Sequence, residues 1–111
     1  MAYDLELAER IRDSLPLESE VTERKMFGGL AFLIRGNMTV VASSKGGLMV
    51  RADPIASSDL VETTPAEFVE MRGRQMQGWL HLDAAHIQSD ADLARWIDHA
   101  VSYAATLPVE T

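Results

Sequence analysis

The sequence has no cysteine, so disulfides, thiolate metal sites and a cysteine nucleophile are all excluded. It also has no apolar run near the roughly 20 residues that span a bilayer. The amino terminus, MAYDLELAER, alternates charge and lacks the basic start and apolar middle of a signal peptide. Neither a G-x-S-x-G elbow nor Walker spacing occurs. What remains is a chain of 111 residues, 47% hydrophobic, which is enough to bury a core without staples. The expectation is a soluble cytoplasmic protein folded as a single domain over 1–111.

Charge is uneven along the chain. The net value of −7 speaks against a general nucleic-acid binder. Residues 1–23 carry −5, whereas 24–51 carry +5 from Arg24, Lys25, Arg35, Lys45 and Arg51 with no acid between them. Residues 52–71 return to −5. The helices are therefore expected to be acidic and the sheet basic.

Hydrophobic spacing gives the elements. Tyr3, Leu7, Ala8, Ile11 and Leu15 recur at helical intervals, and Pro16 closes that helix. Gly29 to Ile34 is an apolar run, followed by the turn Arg35-Gly36-Asn37 and a second run, Met38 to Ala42, which predicts a β-hairpin. A turn at Ser43-Ser44-Lys45-Gly46-Gly47 leads to a third strand, Leu48 to Arg51. Asp53-Pro54 suits the start of a helix. Phe68 to Met71 and Gly78 to Leu82 follow as paired strands, with Arg72 to Gln77 as a linker. Ser89 to Asp92 suits a helix start, and Leu93, Trp96, Ile97, Ala100, Val101 and Ala104 make the apolar stripe of a last helix that Pro108 ends. The order α-β-β-β-α-β-β-α predicts a two-layer α+β domain with an antiparallel sheet. Its open edges predict a two-fold homodimer.

Few residues suggest chemistry. The stretch KMFGGLAFLI places Gly28-Gly29 before a strand, whereas a phosphate loop needs its glycines before a helix N-terminus. Those glycines read as a bulge or a close backbone approach. His81, Asp83 and His86 are three ligand-type residues close in sequence, and a metal-dependent enzyme built on them is one alternative. The plainer reading is a polar strand face and a loop histidine. His99 falls opposite the apolar stripe and reads as solvated. Ser43-Ser44 and Ser57-Ser58 lie in a turn and an early helix, without a nucleophile's context. The paired acids Glu18 and Glu20, and Asp90 and Asp92, read as a polar loop and a helix N-terminus that favours negative charge.

MRGRQMQGW is more informative. Arg72, Arg74, Met76 and Trp79 combine the residue types enriched at protein interfaces. Lys25 and Arg51 join them as interaction candidates from the basic segment. A second alternative is a direct nucleic-acid binder using the basic 24–51 segment, with arginine and aromatic stacking. A third reading makes Met76 and Trp79 core residues and pairs the arginines with Glu67 or Glu70.

Arg24-Lys25-Met26-Phe27-Gly28-Gly29, Arg35-Gly36-Asn37-Met38, Leu48-Met49-Val50-Arg51, Gly73-Arg74-Gln75-Met76-Gln77-Gly78-Trp79 and Leu107-Pro108 follow one pattern in order. The sequence resembles the N-terminal domain of the TfoX/Sxy family of bacterial competence regulators, over about residues 3–108. Gln75 and Gln77 stand where the family pattern commonly has Pro and Lys, which lowers the basic character of that segment. The resemblance implies an α+β fold of the kind secretion chaperones use, with no catalysis and no cofactor. It implies a bacterial transcriptional co-regulator linked to the cyclic-AMP receptor protein. The partner would be a transcription factor or a polymerase-associated complex. Full-length members carry a helical C-terminal domain absent from this sequence, so the expectation is a stand-alone N-terminal domain.

Overall fold

The computed structural model describes residues 4–15, 20–26, 28–43, 46–71 and 73–108. In chain order these form α1 (Leu5–Ser14), β1 (Val21–Met26), β2 (Gly29–Ile34), β3 (Asn37–Ala42), β4 (Leu48–Arg51), α2 (Ser57–Thr63), β5 (Glu67–Met71), β6 (Arg74–Leu82), a 3-10 turn at Ala84–His86, and α3 (Asp90–Ala104). The six strands make one antiparallel sheet in the order β1-β2-β3-β4-β6-β5. Three helices pack on one face of it, giving the α+β class that the sequence predicts.

The helix layer follows from capping and spacing. Asp4 caps α1 by accepting from the backbone N–H groups of Glu6 (2.9 Å) and Leu7 (3.2 Å). Ser89 caps α3 by accepting from Asp92 N–H at 3.1 Å. Each helix then buries its stripe: Leu7, Ala8 and Ile11 from α1, and Leu93, Trp96, Ile97 and Ala100 from α3. They close on Phe32, Val40, Leu48, Val50, Leu80 and Leu82 of the sheet. Each such large side chain removed from water contributes about 1.5–3 kcal/mol.

Three elements differ from expectation. The sequence order lacks β1, because Val21–Met26 reads VTERKM and has apolar residues only at its ends. It is an edge strand, and exposed polar side chains protect it from pairing with other chains. The supposed linker Arg74 to Gln77 is the first half of β6, paired with Val69–Met71 through a tight turn at Gly73. The helix expected at Asp53-Pro54 begins at Ser57. Asp53 still accepts from Ile55 N–H at 2.9 Å as an N-cap would, and Ala56 N–H donates to the Asp53 carbonyl, so a turn starts there and leads into the regular helix. Tyr3, Pro16, Ser44 and Lys45 lie outside the described residues.

Two hairpin turns explain recognisable sequence features. Gly28 has φ +76° in the turn that joins β1 to β2, so the first glycine of the pair is there for backbone geometry. Between β2 and β3 the turn is Arg35-Gly36, with φ of +51° and +83°. Both central residues are left-handed, as a type I′ turn requires, and arginine is a poor choice for the first. Arg35 is exposed. Replacing it with Asn is expected to raise stability by about 0.5–1 kcal/mol, measured by urea unfolding. At the same turn the buried Asn37 donates to the Pro108 carbonyl at 2.9 Å, which ties the end of the chain to the sheet.

Arg12 fastens the edge strand to the helix layer. Its guanidinium donates to both carboxylate oxygens of Glu23, at 2.5 and 2.8 Å, and lies 5.9 Å over the Phe32 ring. The Arg12 hydrogen bond holds the Glu23 carboxyl below its ordinary pKa, against an opposing effect of burial. A depressed carboxylate stabilises the fold above its unfolded pKa and loses that contribution as pH falls through the folded one. Glu23→Gln should therefore destabilise the protein at neutral pH. Its stability should converge on that of the wild type at acid pH, measured by thermal melts across the carboxylate range.

Candidate functional site: the uncovered face of the sheet

Strand alternation divides the sheet's side chains between two faces. The helices cover one. On the other, among the described residues, no helix packs, yet Ala31, Leu33 and Val41 are buried there. Met26, Met38, Met49 and Trp79 surround them, each half-buried. An open hollow of about 840 Å³ lies against this face, and Met76 and Val69 add apolar wall to it.

The pairing register orders this face into rows. One row runs Arg24, Ala31, Val41, Met49, His81, Glu67 from β1 across to β5. The neighbouring row pairs Thr22 with Leu33 and Leu33 with Met38, and farther across pairs Arg51 with Trp79. Along the continuous row the β2 and β3 residues are the small Ala31 and Val41, and Gly29, Val41 and Ser43 line the hollow, whereas Leu33 and Met38 in the neighbouring row are large. Residues on β4 and β6 are large and form a raised side.

Several interaction candidates from the sequence meet here. Trp79 and Met76 lie on β6 and line the hollow. Arg51 sits across from Trp79 with its guanidinium 5.9 Å from the ring centroid, a cation–π distance, and donates to the Met38 carbonyl at 3.4 Å. Two candidates lie elsewhere. Lys25 is exposed on β1 but alternates with Met26, so it belongs to the helix side of the sheet. Arg74 is exposed at the far end of the β5–β6 hairpin and makes no ion pair with Glu67 or Glu70 among the described residues. Arg72 lies outside the described residues.

The other readings separate on geometry. Of the basic segment's described side chains, Arg24 and Arg51 share the uncovered face, Lys25 lies on the other, and Arg35 caps a turn. They do not form one basic surface. His81 Nδ1 and Asp83 Oδ1 are 3.7 Å apart and His81 Nε2 is 3.3 Å from the Gly46 carbonyl oxygen. His86 is exposed in the 3-10 turn beyond. No group of three potential ligands converges among the described residues. His99 also departs from expectation: it is half-buried, its ring meets Trp96 edge-on at 6.3 Å, and its Nε2 is buried without a hydrogen-bond partner.

Sequence reasoning did not single out Met26, Met38 and Met49 for this face. The signal for it in the sequence is the unbroken apolar run Gly29 to Ile34, all six residues of which are buried in β2. A strand of a two-layer sheet normally alternates apolar and polar residues, whereas an unbroken apolar run marks a second face that avoids water. No helix among the described residues is long and apolar enough to cross a membrane. The family model described as the TfoX N-terminal domain matches residues 14–104. No curated protein matches the chain.

Proposed function

The chain belongs to the TfoX N-terminal domain family, and we propose that it works as a non-catalytic regulatory module through protein contacts on the uncovered face of its sheet. The observation that carries this reading is the methionine-lined hollow around Trp79. Methionine is unbranched and polarisable, and it adapts to partners of varied shape. Tryptophan and arginine are enriched at interaction hot spots, and here the Arg51 guanidinium lies 5.9 Å from the Trp79 ring centroid. The family supports a competence-regulator-like role, and the partner class we propose is a transcription factor or a polymerase-associated complex.

Affinity capture from the native cell tests the reading. Met49→Glu puts a charge at the centre of the hollow and should abolish retention of bound proteins. Asp98→Lys, an exposed change on α3, should leave retention unchanged. Equal loss from both, or from neither, would refute the assignment of this face. Salt-dependent retention on DNA that Met49→Glu leaves intact would favour the nucleic-acid alternative.

A further inference from the structure

The uncovered face is built asymmetrically, and its asymmetry fits a second copy of itself. Its continuous row begins with the exposed Arg24 on one edge strand and ends with the exposed Glu67 on the other. Between them the row changes from the small Ala31 and Val41 to the larger Met49 and His81. Neither Arg24 nor Glu67 has an ion-pair partner among the described residues.

Consider a two-fold axis lying between two stacked sheets, parallel to the strands and passing between β3 and β4. The strand order places β1 over β5, β2 over β6 and β3 over β4 of the second copy. Arg24 then faces Glu67 of the second copy, and the same pair forms again at the opposite edge. Ala31 lies beneath His81 of the second copy, and Val41 meets Met49. The floor of each hollow thus receives the raised side of the other sheet, at the roughly 10 Å separation of stacked sheets. A two-fold axis running across the strands would instead set Arg24 against Arg24 and Glu67 against Glu67. Charge, together with side-chain size along this row, selects the first arrangement.

We infer that this face is the interface of a two-fold homodimer in which two sheets stack, held in register by reciprocal Arg24–Glu67 pairs. This differs from joining open sheet edges, which β1 and β5 guard with charged side chains. Six strands about 4.8 Å apart, each about six residues long at about 3.3 Å per residue, give a projected area of roughly 500 Å² per copy. That lies at the low end of specific interfaces.

The proposal rests on the reading of this face as a protein interface, and charge exchange separates the two. Sedimentation equilibrium of the full chain should show a monomer–dimer equilibrium across micromolar concentrations. Arg24→Glu and Glu67→Arg should each weaken it roughly tenfold or more, because each creates two like-charge contacts. Mixing the two variants should restore dimers, since both cross-pairs become opposite in sign. The double variant R24E/E67R should dimerise by itself for the same reason. A wild type that stays monomeric throughout, or a mixture and double variant that remain as weak as the single variants, would overturn the proposal. If a monomeric wild type still loses captured proteins on Met49→Glu, the second copy is wrong and the face still binds another protein. If capture is also unaffected, both readings fall.

Discussion

Gly47→Ala should cost roughly 2–4 kcal/mol, whereas Gly46→Ala, one residue earlier, should cost about half as much. Both glycines sit in the turn before β4 with nearly the same left-handed backbone, φ +83° at Gly46 and +81° at Gly47. Any L side chain there carries the same conformational penalty, about 1–2 kcal/mol. They differ in what a Cβ would meet. At Gly46 nothing lies within 4 Å, whereas at Gly47 it would overlap the Leu82 carbonyl oxygen. That oxygen belongs to the backbone of β6 and cannot swing aside as a side chain could. Alanine at Gly47 must therefore push β4 away from β6, at the seam where Leu48 pairs with Leu82. Urea unfolding of the two variants checks this, and equal losses would mean that the close approach is not there.

Phe32→Ala should be similarly damaging, at about 3–5 kcal/mol, while Trp79→Ala should cost only about 1 kcal/mol. The two aromatic residues lie on opposite faces of the same sheet. Phe32 is fully buried beneath the helices. It is among the largest side chains of the core, and the Arg12 guanidinium that holds Glu23 lies over its ring. Its loss opens a cavity and loosens the anchorage of β1. Trp79 is half-buried on the uncovered face, beside Arg51 rather than inside the core. Truncating it leaves a surface that water can reach, so stability changes little while binding is lost. A Trp79→Ala variant as unstable as Phe32→Ala would make that face structural.

Much of this architecture could be read from spacing and turn chemistry. The last helix follows from its apolar repeat and Ser89, and the β2–β3 hairpin from two apolar runs around Arg35-Gly36. The family pattern also gains a physical link here, because Asn37 in one of its segments bonds Pro108 in another. Edge strand β1 escaped because an exposed strand needs no apolar residues between its ends. The start of β6 escaped because Arg74 to Gln77 lacks the β-branched residues that favour strands. Of the candidate site, Met76, Trp79 and Arg51 were picked out by residue type. Met26, Met38 and Met49 come from three different strands, and only the pairing register brings them together. The face on which Lys25 lies could not be read without β1, whose alternation sets it.

We propose that the uncovered, methionine-lined face is where this protein meets other protein. The most direct test is oxidative footprinting of a tagged chain, comparing the complex captured from native cells with the same chain stripped of its partners. Met26, Met38, Met49 and Met76 report on this face one residue at a time by mass spectrometry, because exposed methionine converts readily to its sulfoxide. All four should be protected in the captured complex and should become reactive in the stripped, dilute protein. Equal reactivity of these methionines in both states would contradict the account.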